Sequence, residues 1–164
     1  MNPAYTYRVI PIDETFRPAV QAMVDQSWAG PLIAVNGTLW DTRTMAGFAA
    51  EQDDYTMIGY ILYVFHTDTC EIMALESLRE NVGVGTRLIE RVKAEAIRRG
   101  KKKIAVTTTN DNLHALRFYQ RFGFTLQTLR PNMLETSRKL KPGIPPEGID
   151  GIPLRDEIEL ELAL

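Results

Sequence analysis

One stretch of this sequence suits anion chemistry, Glu80-Asn81-Val82-Gly83-Val84-Gly85-Thr86, which lies between a β-branched apolar run and a helical one. Two glycines let the backbone turn tightly with its N–H groups outward, and a helix start adds unpaired donors and the positive end of a dipole. A diphosphate suits such a turn. The same letters also fit a strand-to-helix turn in which glycine only permits close packing, and the pair alone does not choose between the two. A dinucleotide site would carry a third glycine further into the helix, and a P-loop would carry Lys followed by Ser or Thr. The sequence has neither.

Other reactive residue types have quieter readings. Cys70 is the only cysteine, so the chain forms no internal disulfide and no cysteine-based zinc cluster. At the start of a hairpin strand it reads as a small packing residue rather than a nucleophile. His66 and His114 are isolated, and no metal site is expected. The basic run Arg98-Arg99-Gly100-Lys101-Lys102-Lys103 resembles a nucleic-acid patch. Positive charge at a helix C-terminus is favourable in itself, so the run reads as solvated, with charge to lend to a bound phosphate.

The elements that must position the glycine turn follow from periodicity. Residues 7–12 read as a strand, and Asp13 or Thr15 caps a helix with Phe16, Val20, Val24 and Trp28 on one face. Pro18 is tolerated in its first turn. Gly30-Pro31 ends that helix, Asn36-Gly37 marks a turn, and the stretch from 28 to 41 reads mostly as loop. A strand is expected over about 44–51, then a hairpin from 55–66 and 71–78 joined by Thr67-Asp68-Thr69. After the glycines, Leu88, Val92 and Ala96 line one helix face, with Ile89 and Ile97 beside them, until Gly100. Residues 103–109 form a strand by β-branched content. Asn110, Asp111 and Asn112 supply caps for a helix over 113–122 that Gly123 closes. Residues 124–129 are a further strand. A charged segment and a Pro- and Gly-rich connection over 142–153 follow, and then the strict alternation of Ile158, Leu160, Leu162 and Leu164 with acidic residues. This order predicts an α/β (α+β) mixed sheet with helices on both faces.

At 164 residues the chain fits a single domain, 1–164, with no internal repeat. Hydrophobic residues make up 45% and charged residues 24%, a globular mix that excludes a disordered scaffold. A net charge of -2 argues against a protein that coats nucleic acid. The apolar run over 58–65 is too short to span a bilayer and no basic-then-apolar leader opens the chain. The expected location is the cytoplasm, with no membrane partner.

The second half of the chain decides between the readings of the turn. Asn112-Leu113-His114-Ala115-Leu116-Arg117-Phe118-Tyr119, followed by Gly123-Phe124, accompanies the glycines at a fixed distance. Together the two segments resemble the GNAT superfamily of N-acetyltransferases, most clearly over residues 71–129. In that family the turn reads Gln or Arg, two variable residues, Gly, one variable residue, then Gly or Ala. Glu80 stands where the family has Gln or Arg, and Arg79 or Arg87 would have to compensate.

The resemblance implies acetyl-CoA as acyl donor, with no metal, and an amine-bearing acceptor. It places the pantetheine arm where two adjacent parallel strands, 72–78 and 103–109, splay apart. Leu75 and Ser77 on the first strand, the turn residues Val82, Gly83, Val84, Gly85 and Thr86, and Asn112 would hold the coenzyme. Tyr119 would protonate the departing thiolate or hold it by a hydrogen bond. A thiolate near ~8.5 and a phenol near ~10 make that transfer feasible. An amine must lose a proton to attack, and Glu76, beside the pantetheine strand residue, is the first candidate base, with Glu71 second. Asp111 reads as a cap. The family's last hairpin, here within 124–164, overhangs the acceptor, so Asp156 and Glu157 would meet a cationic amine or guard strand ends. Trp28 and Trp40 flank the loop that borders the acceptor. A strand at 158–164 on an exposed edge would allow a homodimer. Two other functions share the fold, a non-catalytic acyl-CoA sensor and a structural or oligomerisation domain.

Overall fold

The computed structural model describes residues 6–164. Strand β1 (Tyr7–Pro11) leads into helix α1 (Arg17–Trp28), which buries Val20 and Val24. The Asp13 carboxylate accepts from the amides of Thr15 and Phe16 and so organises the entry to the helix. Pro18 sits in the first turn, where its missing N–H forfeits no helical bond. Ala29, at φ 53°, ends the helix in the left-handed region.

The stretch that follows is a hairpin rather than a loop. Strands β2 (Leu32–Val35) and β3 (Thr38–Asp41) pair antiparallel across Asn36-Gly37, whose φ angles of 50° and 71° make the turn that matches strand twist. Four residues a side are too few to display a period, so only the turn showed in the sequence.

The main sheet then builds from β4 (Ala46–Gln52), β5 (Met57–Phe65) and β6 (Thr69–Ser77), followed by α2 (Val84–Arg98), β7 (Lys103–Thr109) and α3 (Leu113–Phe122). After these come β8 (Thr125–Arg130), α4 (Met133–Leu140) and β9 (Glu157–Ala163). The strand order is β1-β4-β5-β6-β7-β9-β8, with β6–β7 the parallel pair. Helix α4 occupies part of the expected charged connection, buries Leu134 and Ser137, and rests on the β2–β3 hairpin.

Strand β9 corrects another expectation. It lies inside the sheet, between β7 and β8, and the edges are β1 and β8. Its alternation has a different cause from edge exposure. Leu160 is fully buried with Ile158 and Leu162 beside it, while Glu159 and Glu161 on the other face pair with Arg130 and Lys103.

One core lies between the sheet and α2 with α3, where Leu88, Ile89, Val92, Ala96 and Tyr119 meet Ile61, Ile72, Ile104 and Leu160. A second lies under α1, where Val20 and Val24 meet Ile33, Tyr60, Leu62 and Met73. Helices therefore cover both faces. At the centre, β6 and β7 pair only from Thr69↔Lys103 to Ile72↔Val106 and then part. The parting coincides with a bulge: Leu62 pairs with Ala74 and Tyr63 with Ile72, which leaves Met73 as the extra residue on β6. The added bend turns the rest of β6 away from its parallel neighbour.

Candidate active site

The parted strands open onto a cleft of about 550 Å³. The free end of β6 contributes Leu75, Glu76 and Ser77, and the turn and α2 contribute Arg79, Glu80, Asn81, Gly83, Val84, Gly85 and Thr86. The far wall is Asn112 with His114, Ala115, Phe118 and Tyr119 of α3. Of the residues expected to hold the coenzyme, together with Tyr119 and Glu76, all but Val82 line this cleft.

Local chemistry explains the turn. Asn81 at φ 60° and Gly83 at φ 80° are both left-handed, which curls the chain so that successive amides face one way. The first helical bond of α2 runs from the Arg87 N–H to the Gly83 carbonyl, 3.0 Å. The amides of Val84, Gly85 and Thr86 precede it and have no helical acceptor. The Val82 carbonyl instead accepts from the Tyr7 hydroxyl at 3.4 Å and ties the turn to β1.

Of the two arginines considered beside Glu80, Arg79 lines the cleft, whereas Arg87 stacks over the Tyr7 ring at 4.8 Å. The basic run lies at the other end of α2 and is held there. Arg98 and Arg99 pair with Glu95, Lys102 with Asp68 and Lys103 with Glu161, and Lys101 donates to the carbonyls of His66 and Thr67. Fifteen residues of helix separate it from the glycine turn by about 22 Å, too far to share a diphosphate.

Past Ile72, β6 has no partner on its β7 side, so its backbone there is free to bond an amide-bearing ligand. The Asn112 side-chain oxygen caps α3 by accepting from Ala115 N–H at 3.0 Å, which leaves its NH₂ for a ligand. Tyr119, 6% exposed, is wedged between Phe118 and Phe124 with both ring centroids 5.4 Å away. Among the described residues nothing hydrogen-bonds its hydroxyl, and burial pushes the phenol above its ordinary range. It therefore stays protonated at neutral pH, with its hydrogen available to donate.

The two candidate bases differ in setting. Glu76 lines the cleft, and the Ser27 hydroxyl of α1 donates to it at 2.7 Å. Its cross-strand partner is Tyr60, whose hydroxyl accepts from Trp28 Nε1 at 3.3 Å. Burial raises the Tyr60 phenol, and the nearby Glu76 charge adds to the rise. Glu71 is bound to His66 at 2.7 Å near the start of β6, about 16 Å up the strand from Glu76. The cleft takes in Glu76 and not Glu71.

The remaining acidic candidates hold the fold. The Asp111 carboxylate accepts from the Thr109 hydroxyl and from the Ile149 amide, and so pins the 142–153 connection to the end of β7. Asp156, 5% exposed, accepts from the Asn132 amide and from Arg155. Glu157, 2% exposed, accepts from the Asn36 amide, with burial raising its carboxyl. Neither presents a free carboxylate to a cationic amine. Trp40 packs edge-on to His66, 6.3 Å between centroids, and Trp28 closes the acceptor side over Tyr60. Burial pushes the Cys70 thiol up to about 12, which suits packing and not nucleophilic attack.

Sequence reasoning singled out Trp28 but gave no role to Ser27, Tyr60 or Lys141. The Lys141 ammonium donates to the carbonyls of Trp28 and Leu32 and ties α4 to the end of α1. No spacing rule connects these residues; only the tertiary fold does.

A glycine turn at a helix start, a strand pair that parts beside it and a buried tyrosine on the next helix define the acetyltransferase class. Residues 16–124 match the model of the acetyltransferase (GNAT) family, and the chain belongs to that family. It is 38% identical to the uncharacterized protein YxbD of Bacillus subtilis (strain 168), over 93% of this chain and 96% of that protein. Its fold is similar to that of an IAA acetyltransferase from Bacillus cereus ATCC 14579 at a TM-score of 0.74 and 20% identity, covering 97% of this chain and 100% of that one. A GNAT family acetyltransferase from Elizabethkingia anophelis, solved with acetyl-CoA bound, superposes at a TM-score of 0.69 and 20% identity over 96% of this chain and 98% of that one. Among the described residues, no helix is long and apolar enough to cross a membrane, and no three His, Cys, Asp or Glu are grouped to hold a metal ion.

Proposed function

We propose that the whole chain acts as one catalytic unit that moves an acetyl group from acetyl-CoA directly to a primary amine, drawing on the cytoplasmic coenzyme pool. The observation that carries this reading is the single cleft that joins free amides at one end to Tyr119 and Glu76 at the other, with the unpaired edge of β6 between them. The amides of Val84, Gly85 and Thr86 bind the diphosphate at the positive end of α2. Leu75 and Ser77 offer backbone to the pantetheine amides, and Asn112 offers its NH₂.

Chemistry follows from the groups in place. Glu76, directly or through water, takes a proton from the ammonium form of the acceptor, and the free amine attacks the thioester carbon. The C–N bond forms as the C–S bond breaks, the electron pair leaves on sulfur, and the second proton, shed by the nitrogen as it becomes an amide, passes through water to the thiolate or to solvent. The Tyr119 hydroxyl donates to that thiolate. Burial makes the phenol a weaker acid than a free one, so its main contribution is a hydrogen bond that strengthens as charge builds. Holding both reactants in one cleft supplies most of the acceleration.

Calorimetric titration with acetyl-CoA, with desulfo-CoA and ATP as controls, tests the donor half. One-site binding to both coenzyme forms, with ATP much weaker, is expected; absence of binding in folded protein overturns the reading. Thiol release with a panel of primary amines then separates an enzyme from a sensor, which binds but releases none.

A further inference from the structure

Three independent constraints fix the last turn of α1. Ala29 adopts the left-handed conformation with its amide bonded to the Asp25 carbonyl, the Lys141 ammonium donates to the Trp28 carbonyl, and Trp28 Nε1 donates to the Tyr60 hydroxyl. Surface hydroxyls usually rotate freely and lose little when removed. Ser27 sits on backbone that cannot drift, and it spans from α1 to β6 to reach Glu76 Oε2 at 2.7 Å.

Besides Ser27, the Tyr60 hydroxyl also interacts with the Glu76 carboxylate. Arg79 and Glu80 on the turn and His114 and Tyr119 on α3 share the cleft, and Tyr60 faces Glu76 from β5. Among the described residues none of them forms an ion pair with Glu76, and Lys141 is spent on backbone carbonyls. An unpaired carboxylate at the end of a strand can swing between rotamers. A hydroxyl donor carried on an anchored helix turn selects one rotamer.

We propose that Ser27 is a positioning residue, whose hydroxyl holds the Glu76 carboxylate in one rotamer, aimed across the parted strands at the acceptor amine. The inference rests on the reading of Glu76 as the base. It makes α1 part of the proton-transfer apparatus, and it gives Lys141, from α4, a place in the same chain of support.

The test uses thiol-release kinetics of the intact protein with the most active amine of the panel, with coenzyme affinity by calorimetry beside it. Ser27→Ala is expected to lower kcat about 3- to 10-fold with coenzyme affinity unchanged, and Ser27→Thr is expected to restore the rate. An unchanged kcat in Ser27→Ala overturns the proposal. Failure of the underlying reading shows elsewhere: Glu76→Gln would then turn over like wild type, whatever the Ser27 variants do.

Discussion

Phe118 on α3 lies against Gly85 on α2 so closely that a Cβ on the glycine would meet the ring carbon Cζ at 3.1 Å. These residues belong to the two walls of the cleft, so one contact sets its width beside the glycine turn. In Gly85→Ala the gain in helix propensity, about 1 kcal/mol, offsets the crowding, and the melting temperature should change little. The ring must shift into the cleft or away from it. Coenzyme affinity by calorimetry should fall several-fold, about 1 kcal/mol, and Phe118→Leu in the same chain should recover part of it.

Gly83→Val acts by a different route. No side chain crowds the position, since the nearest atom to a Cβ there is the Tyr7 hydroxyl at 3.9 Å, but φ is +80°, which a β-branched residue does not adopt without strain. Rebuilding the turn costs about 2 kcal/mol or more and turns the amides away from the ligand. Coenzyme binding should weaken by about 30-fold or more in a protein whose far-UV circular dichroism is unchanged. Equal affinity in the folded variant would sink the role given to this turn.

Tyr119→Phe removes a hydroxyl that bonds to nothing among the described residues, so stability should stay within about 0.5 kcal/mol of wild type. The rate of thiol release should fall about 10- to 100-fold while coenzyme affinity holds. Loss of affinity with an unchanged rate would make the tyrosine a wall of the cleft only.

Asp111→Ala leaves the Thr109 hydroxyl and the Ile149 amide without their acceptor and opens a gap beside Gly148. Each lost partner costs about 1–3 kcal/mol where water cannot enter. The variant should melt lower, and limited proteolysis should cut first within 142–153.

Alkaline pH should unfold the protein through groups that burial keeps neutral. Tyr60 and Tyr119 are pushed upward, and Tyr63 and Cys70 are each pushed up to about 12. An acid whose folded value exceeds its unfolded one favours the fold while protonated in both states. That contribution is complete below about pH 8.5 for the thiol and about 10 for the phenols, and it is lost as pH climbs toward the folded values. Tyrosinate absorbance at 295 nm should therefore lag for these rings and then rise together with loss of tertiary circular dichroism. Early titration of all six tyrosines in folded protein would contradict it.

The glycine-turn end of the cleft was legible because each of its parts is local. A 3.6-residue period marks α2, β-branched runs mark β6 and β7, and Gly83, Gly85 and Asn112 sit at element ends. The surroundings of Glu76 were not, because their contacts join distant segments. Ser27 meets Glu76 across 49 positions and Lys141 meets Trp28 across 113. Strands β2 and β3 and helix α4 are too short for periodicity to stand out against the turns around them. Asp156 and Glu157 misled because an acidic pair next to a strand reads alike whether it faces a ligand or backbone amides. Only the burial of both decides that they serve the fold.

Strand β9 follows every other strand in sequence yet fills the gap between β7 and β8. On the ribosome, β7 and β8 therefore emerge with a vacant slot between them, and each waits with an unpaired edge until residues 157–163 are made. Such edges invite other nascent chains. The glutamates that alternate along β9 keep this late segment soluble while it waits. Each side of the slot holds a basic residue, Lys103 on β7 and Arg130 on β8, which meets Glu161 or Glu159 as the strand slides home.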